Sequence, residues 1–283
     1  MPSNPVWQLR DRVLTPGARP LVMGIVNVTP DSFSDGGLHA TTPAAVAHGL
    51  ELVRQGADLL DVGGESTRPG SAPVSLDEEL RRVVPVVREL ALRCDVPLSV
   101  DTSKAEVARQ CLEAGAHIVN DVTALLGDAD MAEVVRSFGA GAILMHMQGT
   151  PQTMQQNPTY DDVTRTVADF LESRLQALAV LGIARSRVVL DPGIGFGKTG
   201  EHNRQLLARL EELGQLGRPV CLGVSRKGFL GKITGRSLEK RLSASLAAVC
   251  FALARHAAQI FRVHDVAETR DAVEVFRALE NDQ

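Results

Sequence analysis

The stretch that decides the fold is LVMGIVN (21–27), a polar turn-rich run, then TPAAVAHGLELVRQGA (42–57) and DLLDVGG (58–64). A short apolar run, an amphipathic segment with spacing near 3.6 and a second short apolar run make a strand–helix–strand unit. Working outward, further strand candidates are LSVD (98–101), HIVND (117–121), AILMHM (142–147), RVVLD (187–191), VCLGVS (220–225) and QIFRV (259–263). Helix-patterned segments separate them at 75–93, 104–116, 128–140, 161–182, 201–214 and 237–257, and another follows at 265–279. Several open on Ser, Thr or Asp and several close on Gly, as helix ends prefer. Eight such units favour an α/β fold of the closed (β/α)8 TIM-barrel kind over a doubly wound sheet. WQLRDRVLTPGARP (7–20) reads as a small hairpin around Pro16-Gly17, so that residues 1–20 cap one end of a single domain spanning 1–283.

The chain has 283 residues, 44% hydrophobic and 23% charged, with a formal net charge of −4. No block of Lys or Arg is present to capture a nucleic-acid backbone or an anionic membrane, which leaves small molecules as the expected partners. Cys94, Cys111, Cys221 and Cys250 are far apart and form no CxxC pair, so reduced core thiols are expected. No run approaches the ~20 apolar residues of a membrane span and no signal peptide is evident, which points to the cytoplasm.

The apolar runs end in Asn27, Asp61, Asp101, Asn120 with Asp121, His146, Asp191, Ser225 and Arg262 with His264. In a barrel these ends form one rim, where active sites lie. Any one of them could cap the next helix, but eight in register indicate a site. The Gly-rich DPGIGFGKTG (191–200) contains a GxGxxG spacing, yet the acidic residue expected about 20 positions on is missing. It also falls short of a P-loop, because Pro192 stands where the first glycine belongs. The loop reads instead as a close-approach segment beside Asp191. NVTPDSFSDGG (27–37) and GGESTRPGS (63–71) read as two mobile catalytic lids rich in oxygen ligands and anion donors.

MGIVNVTPDSFSDGG, GGESTRPG, SVDTSK, GAHIVNDV, LMHMQGTPQTMQ, LDPGIGFGKT, GVSRKGFLG and IFRVHDV together resemble the dihydropteroate synthases, in their single-domain bacterial form, from about residue 20 to 277. Ile194, where an aromatic is often found, and Ala244, where glycine is commoner, depart from the pattern. The resemblance implies a transferase of the folate pathway that is a target of sulfonamides. It would condense (7,8-dihydropterin-6-yl)methyl diphosphate with 4-aminobenzoate, with Mg²⁺ as cofactor and a homodimer as the assembly. It implies pterin binding by Asp101, Asn120, Asp191, Phe196, Lys227 and Arg262. Diphosphate binding would fall to Asn27, Thr67, Arg68, Arg262 and His264, and metal binding to Asn27 and Asp35. Phe33, Arg68, Pro69, Ser225 and Lys227 would meet aminobenzoate, with its carboxylate near the N-terminus of the helix after Ser225. Asp35, Lys227, Arg262 and His264 would be catalytic. The reaction needs no protein nucleophile, because the electron-rich dihydropterin can expel diphosphate and leave a stabilised methylene cation for the amine to attack. Two alternatives are a pterin-binding methyl-transfer module of corrinoid enzymes, which would leave the anion residues unexplained, and a non-catalytic synthase homologue.

Overall fold

The computed structural model describes residues 6–16, 19–29, 42–68 and 70–281. Two short strands, β1 (Trp7–Gln8) and β2 (Val13–Leu14), pair antiparallel with Trp7 opposite Leu14. The hairpin therefore turns through residues 9–12, where Leu9 N–H donates to Arg12 O at 2.9 Å, and not around Pro16-Gly17. The core strands are β3 (Leu21–Asn27), β4 (Leu59–Gly63), β5 (Leu98–Asp101), β6 (Ile118–Asp121), β7 (Gly141–Met145), β8 (Val188–Asp191), β9 (Cys221–Leu222) and β10 (Ile260–Val263). They form one parallel sheet in the order β8-β7-β6-β5-β4-β3-β10-β9. A parallel bridge between Leu190 and Val220 joins its two edges and closes the barrel. The run expected at 220–225 supplies only two strand residues, so closure at this seam rests on that bridge and on Leu190 N–H donating to Pro219 O at 2.9 Å.

The helices are α1 (Thr42–Arg54), α2 (Leu76–Ala91), α3 (Ala105–Glu113), α4 (Met131–Phe138), α5 (Val163–Val180), α6 (Gly200–Ala208), α7 (Gly228–Thr234), α8 (Leu242–Ala254) and α9 (Val266–Asn281). Local chemistry fixes their ends: Ser75 and Asp162 accept from backbone N–H groups at the starts of α2 and α5, and Thr199 forms a capping box with His202 at α6. Gly139 ends α4 in the left-handed region. Short α7 was not expected, and the long segment 237–257 resolves into a 3-10 turn at 238–240 followed by α8. Among the cysteines, Cys111 and Cys221 are buried as expected of core thiols, Cys94 is half-buried and Cys250 is exposed.

Two packing layers result. The larger lies between the barrel and its helices, and Ile194, one of the departures from the family pattern, packs into it. The smaller lies inside the barrel, where Met23, Leu59, Ile118, Ile143, Val189, Cys221 and Ile260 meet Trp7 and Leu9 of the hairpin. Gly141 makes room for this plug, since a Cβ there would fall 2.5 Å from a Leu9 methyl and 3.0 Å from Trp7 Nε1. Trp7 is fully buried and donates its indole N–H to Arg187 O at 2.9 Å. The hairpin thus caps the end of the barrel where the strands begin.

Candidate active site

Side chains of a strand alternate with a period of two, so the residue two places beyond each member of the apolar plug also points into the barrel. From Leu59, Ile118, Val189 and Ile260 that step reaches Asp61, Asn120, Asp191 and Arg262. One period therefore converts an apolar floor into a charged layer at the end where the strands finish. Asp101, the last residue of β5, joins that layer in register with Asn120.

Arg262 is its centre. Its Nε donates to Asp61 Oδ2 at 2.6 Å and its Nη2 to Asp101 Oδ2 at 2.7 Å, while Asn120 Nδ2 donates to the same Asp61 oxygen at 3.1 Å. Burial pushes the Asp101 carboxyl up from its usual range, against the pull of Arg262 and with the push of Asp61. Burial likewise raises Asp191, opposed by the Gly193 N–H that its Oδ1 accepts at 2.7 Å and by Lys227, Arg262 and Lys198. Lys227 is pushed down to about 8 by burial, with Asp191 opposing the shift. Its ammonium lies 4.2 Å over the centroid of the half-buried Phe196 ring.

The Gly-rich loop gains its shape from Lys198, a residue without an expected role. Its buried Nζ donates to the carbonyls of Gly193 and Phe196 at 3.0 Å and of His146 at 3.2 Å, and meets His146 Nδ1 at 3.0 Å. Burial lowers this lysine to about 7, and burial with the nearby Lys198 lowers His146 to about 3. The lysine of the near P-loop therefore points inward as a staple. Gly193 is obligatory beside it, because at φ +67° a Cβ would stand 1.9 Å from His146 O.

Ser225 and Lys227 flank Arg226, whose φ of 57° places it in the left-handed region. The Arg226 N–H donates to Ser245 Oγ at 2.9 Å, Arg241 Nη1 donates to Arg226 O at 3.1 Å, and the Arg226 guanidinium is paired with Asp265. Ser225 Oγ contacts His264 Nδ1 at 3.1 Å. Burial, then the charges of Arg262 and Arg226, lower His264 to about 4. The charge of Arg68 adds to that lowering; Arg68 is exposed and Thr67 beside it is half-buried.

The second loop is more firmly held than its composition suggested. Arg82 Nη1 donates to Gly64 O at 2.8 Å, Val74 N–H donates to Glu65 Oε1 at 3.3 Å, and Lys104 joins Glu65 to the buried Glu79. Gly70 N–H further donates to Pro151 O at 3.2 Å, tying this loop to the one after β7. Asn27 ends β3, half-buried, in register with Gly63. Phe33, Asp35 and Pro69 lie outside the described residues. Among the described residues no three His, Cys, Asp or Glu side chains are grouped to hold a metal ion, and no helix is long and apolar enough to cross a membrane.

Of the expected site residues, Asp101, Asn120, Asp191, Lys227 and Arg262 belong to one connected electrostatic cluster. Phe196 is joined to it under Lys227, and Ser225 and His264 border it through the charge of Arg262. Asp61 links two members of the cluster and had no expected role. Its place at a strand end was visible in the sequence, but its partners lie on other strands.

The family described as pterin binding enzyme matches residues 23–264. The dihydropteroate synthase of Escherichia coli (strain K12) is 48% identical over 261 residues, covering 92% of each chain. A solved structure of the Yersinia pestis dihydropteroate synthase with a sulfonamide drug superimposes with a TM-score of 0.91 at 46% identity, over 98% of this chain and 99% of that one. The Xanthomonas albilineans dihydropteroate synthase in complex with 7,8-dihydropteroate gives a TM-score of 0.88 at 48% identity, over 98% of this chain and 99% of that one. The chain belongs to the pterin binding enzyme family and, within it, to the dihydropteroate synthases.

Proposed function

We propose that the charged layer binds the dihydropterin diphosphate and that the rim residues above it receive the diphosphate and 4-aminobenzoate. The observation that carries this reading is the arrangement of acceptors around Arg262, namely Asp101, Asn120 and Asp191 on the inner faces of three strands. A pterin's pyrimidine edge presents an amino group beside a ring N–H, and one carboxylate accepts both, which suits Asp191. Asp101 and Asn120 then meet the remaining ring nitrogens, and Phe196 packs at the edge of the ring site. Lys227, still largely protonated at neutral pH, donates to the ring oxygen and N5. With Nε and Nη2 committed to carboxylates, Arg262 keeps Nη1 and the faces of its plane for the ligand, so it can stack on the ring and reach the diphosphate.

Asn27, Thr67, Arg68 and His264 complete the diphosphate pocket, and Phe33, Arg68, Pro69, Ser225 and Lys227 receive aminobenzoate. Since α7 begins at Gly228, directly after Lys227, its first turn lies beside the place proposed for the aminobenzoate carboxylate. His264 acts there as a neutral donor, because burial keeps its imidazole uncharged at neutral pH. Mg²⁺ fits the donor set: the Asn27 amide oxygen is a hard ligand at the strand end, and Asp35 is its proposed companion. When bound, the ion would neutralise charge on the diphosphate. Arg262, Lys227 and Arg68 hold the leaving charge, while the buried pocket shields the methylene cation from water until the amine attacks.

The chain is proposed to work as one domain in the cytoplasm and as a homodimer. On α8, Ser243, Ala247, Cys250, Phe251 and Ala254 share one exposed face, a small-residue apolar surface suited to a second copy. The methyl-transfer alternative leaves Thr67, Arg68 and His264 without a task. Purified protein given both substrates should release pyrophosphate and dihydropteroate, and Asp191→Asn or Lys227→Met should suppress both products. Full turnover by both variants would contradict the assignment.

A further inference from the structure

Asp61 has none of the roles assigned above. It is wholly inaccessible, so it touches no substrate, yet its Oδ2 accepts hydrogen bonds from Arg262 Nε and Asn120 Nδ2 at 2.6 and 3.1 Å. Its other oxygen is buried with no hydrogen-bond partner among the described residues. A carboxylate facing an amide can only accept, so the end of Asn120 turned to Asp61 is its NH2 group. The carbonyl oxygen of Asn120 is then the end left for a ligand, alongside the Asp101 carboxylate of the neighbouring strand.

We infer that Asp61 is a positioning residue that locks the Asn120 amide, so that the layer presents acceptors where the bound ring must carry an N–H. This deepens the pterin reading of the site and rests on it. With Asp191 on the amino and N3 edge, the ring nitrogens still to be met are N1, N5 and N8. Only N8 carries a hydrogen, and only in the 7,8-dihydro ring; in the oxidised ring all three are acceptors. An acceptor fixed against N8 favours the reduced ring and opposes the oxidised one by lone-pair repulsion. Without Asp61 the amide is free to turn over and offer its NH2 instead.

The test is calorimetric binding of 6-hydroxymethyl-7,8-dihydropterin and of oxidised 6-hydroxymethylpterin to wild type, Asp61→Asn and Asp61→Leu. Wild type should prefer the reduced ring by about tenfold or more. Asp61→Asn can place its amide oxygen where Oδ2 stands, accept from both donors and keep that preference. Asp61→Leu offers no acceptor and should bring the two affinities to within about threefold. General loosening of the site would weaken both ligands alike and leave the ratio intact. Should Asp61→Leu fail to fold, Asn120→Leu removes the amide itself and should collapse the ratio in the same way. An undiminished ratio in whichever of these leucine variants folds, or equal affinities in wild type, overturns the inference. Failure of wild type to bind either pterin would overturn the pterin reading along with it.

Discussion

The Ser225 hydroxyl lies 3.1 Å from His264 Nδ1 and also accepts the backbone N–H of His264 at 3.2 Å. When the hydroxyl gives its proton to Nδ1, the hydrogen of a neutral imidazole sits on Nε2, where an anion can accept it. Because burial lowers His264 to about 4, the unfolded chain binds a proton there below its ordinary value of 6.5 while the folded chain does not. This contribution to stability is complete above pH 6.5 and is lost as pH falls toward 4. His146, lowered to about 3, acts in the same direction. Melting temperature should rise between pH 4 and 6.5, and His264→Gln should flatten part of that rise. An identical pH slope in the variant would refute the neutral, buried assignment.

Arg262 is assigned to the ring and the diphosphate together. Arg262→Ala should weaken the pterin diphosphate and free pyrophosphate, whereas hydroxymethyl dihydropterin, lacking phosphates, should lose only the stacking share. Titration of the three ligands reads this directly, and equal losses for both pterins with pyrophosphate unaffected would make Arg262 a ring-stacking residue alone.

Lys198 supports the Gly-rich loop that follows Asp191. Lys198→Met keeps most of the side-chain volume but leaves the carbonyls of His146, Gly193 and Phe196 without their donor. A loss of about 2 to 4 kcal/mol in urea unfolding is expected from such unpaired buried groups. Unchanged stability would mean that the staple is dispensable.

Gly141 probes the opposite end of the barrel. A Cβ there meets Leu9 and Trp7, so Gly141→Ala should lower the melting temperature by displacing the plug while leaving pterin affinity at its wild-type value. A change in affinity at unchanged stability would contradict the separation of plug from site.

The sequence showed the strands to within a residue or two, apart from the shortened β9, because each is a short apolar run bounded by turn residues. Asp101, Asn120, Asp191 and Arg262 were visible as polar ends of those runs, and their inward direction follows from the period of two. The function of Asp61 was hidden because it depends on partners on β6 and β10, far away in the chain. Lys198 was obscured by its resemblance to a phosphate-binding lysine; its direction is set by the positive φ of Gly193, Gly195 and Gly197. Seven-residue α7 contains two glycines and no full amphipathic period, so nothing local announced it. The hairpin turn was misplaced because Pro16-Gly17 is the stronger turn signal, while the actual pairing is set by burial of Trp7 and Leu9 against the barrel floor.

The central claim is that the layer above the plug recognises a pterin through Asp191. Calorimetric titration of 6-hydroxymethyl-7,8-dihydropterin into wild type and Asp191→Asn tests it most directly, since the substitution keeps the shape and exchanges an acceptor for a donor facing two donors. A loss of about 2 to 3 kcal/mol in binding is expected, with the circular dichroism spectrum of the folded chain unchanged. Wild-type affinity in a folded Asp191→Asn variant would contradict it.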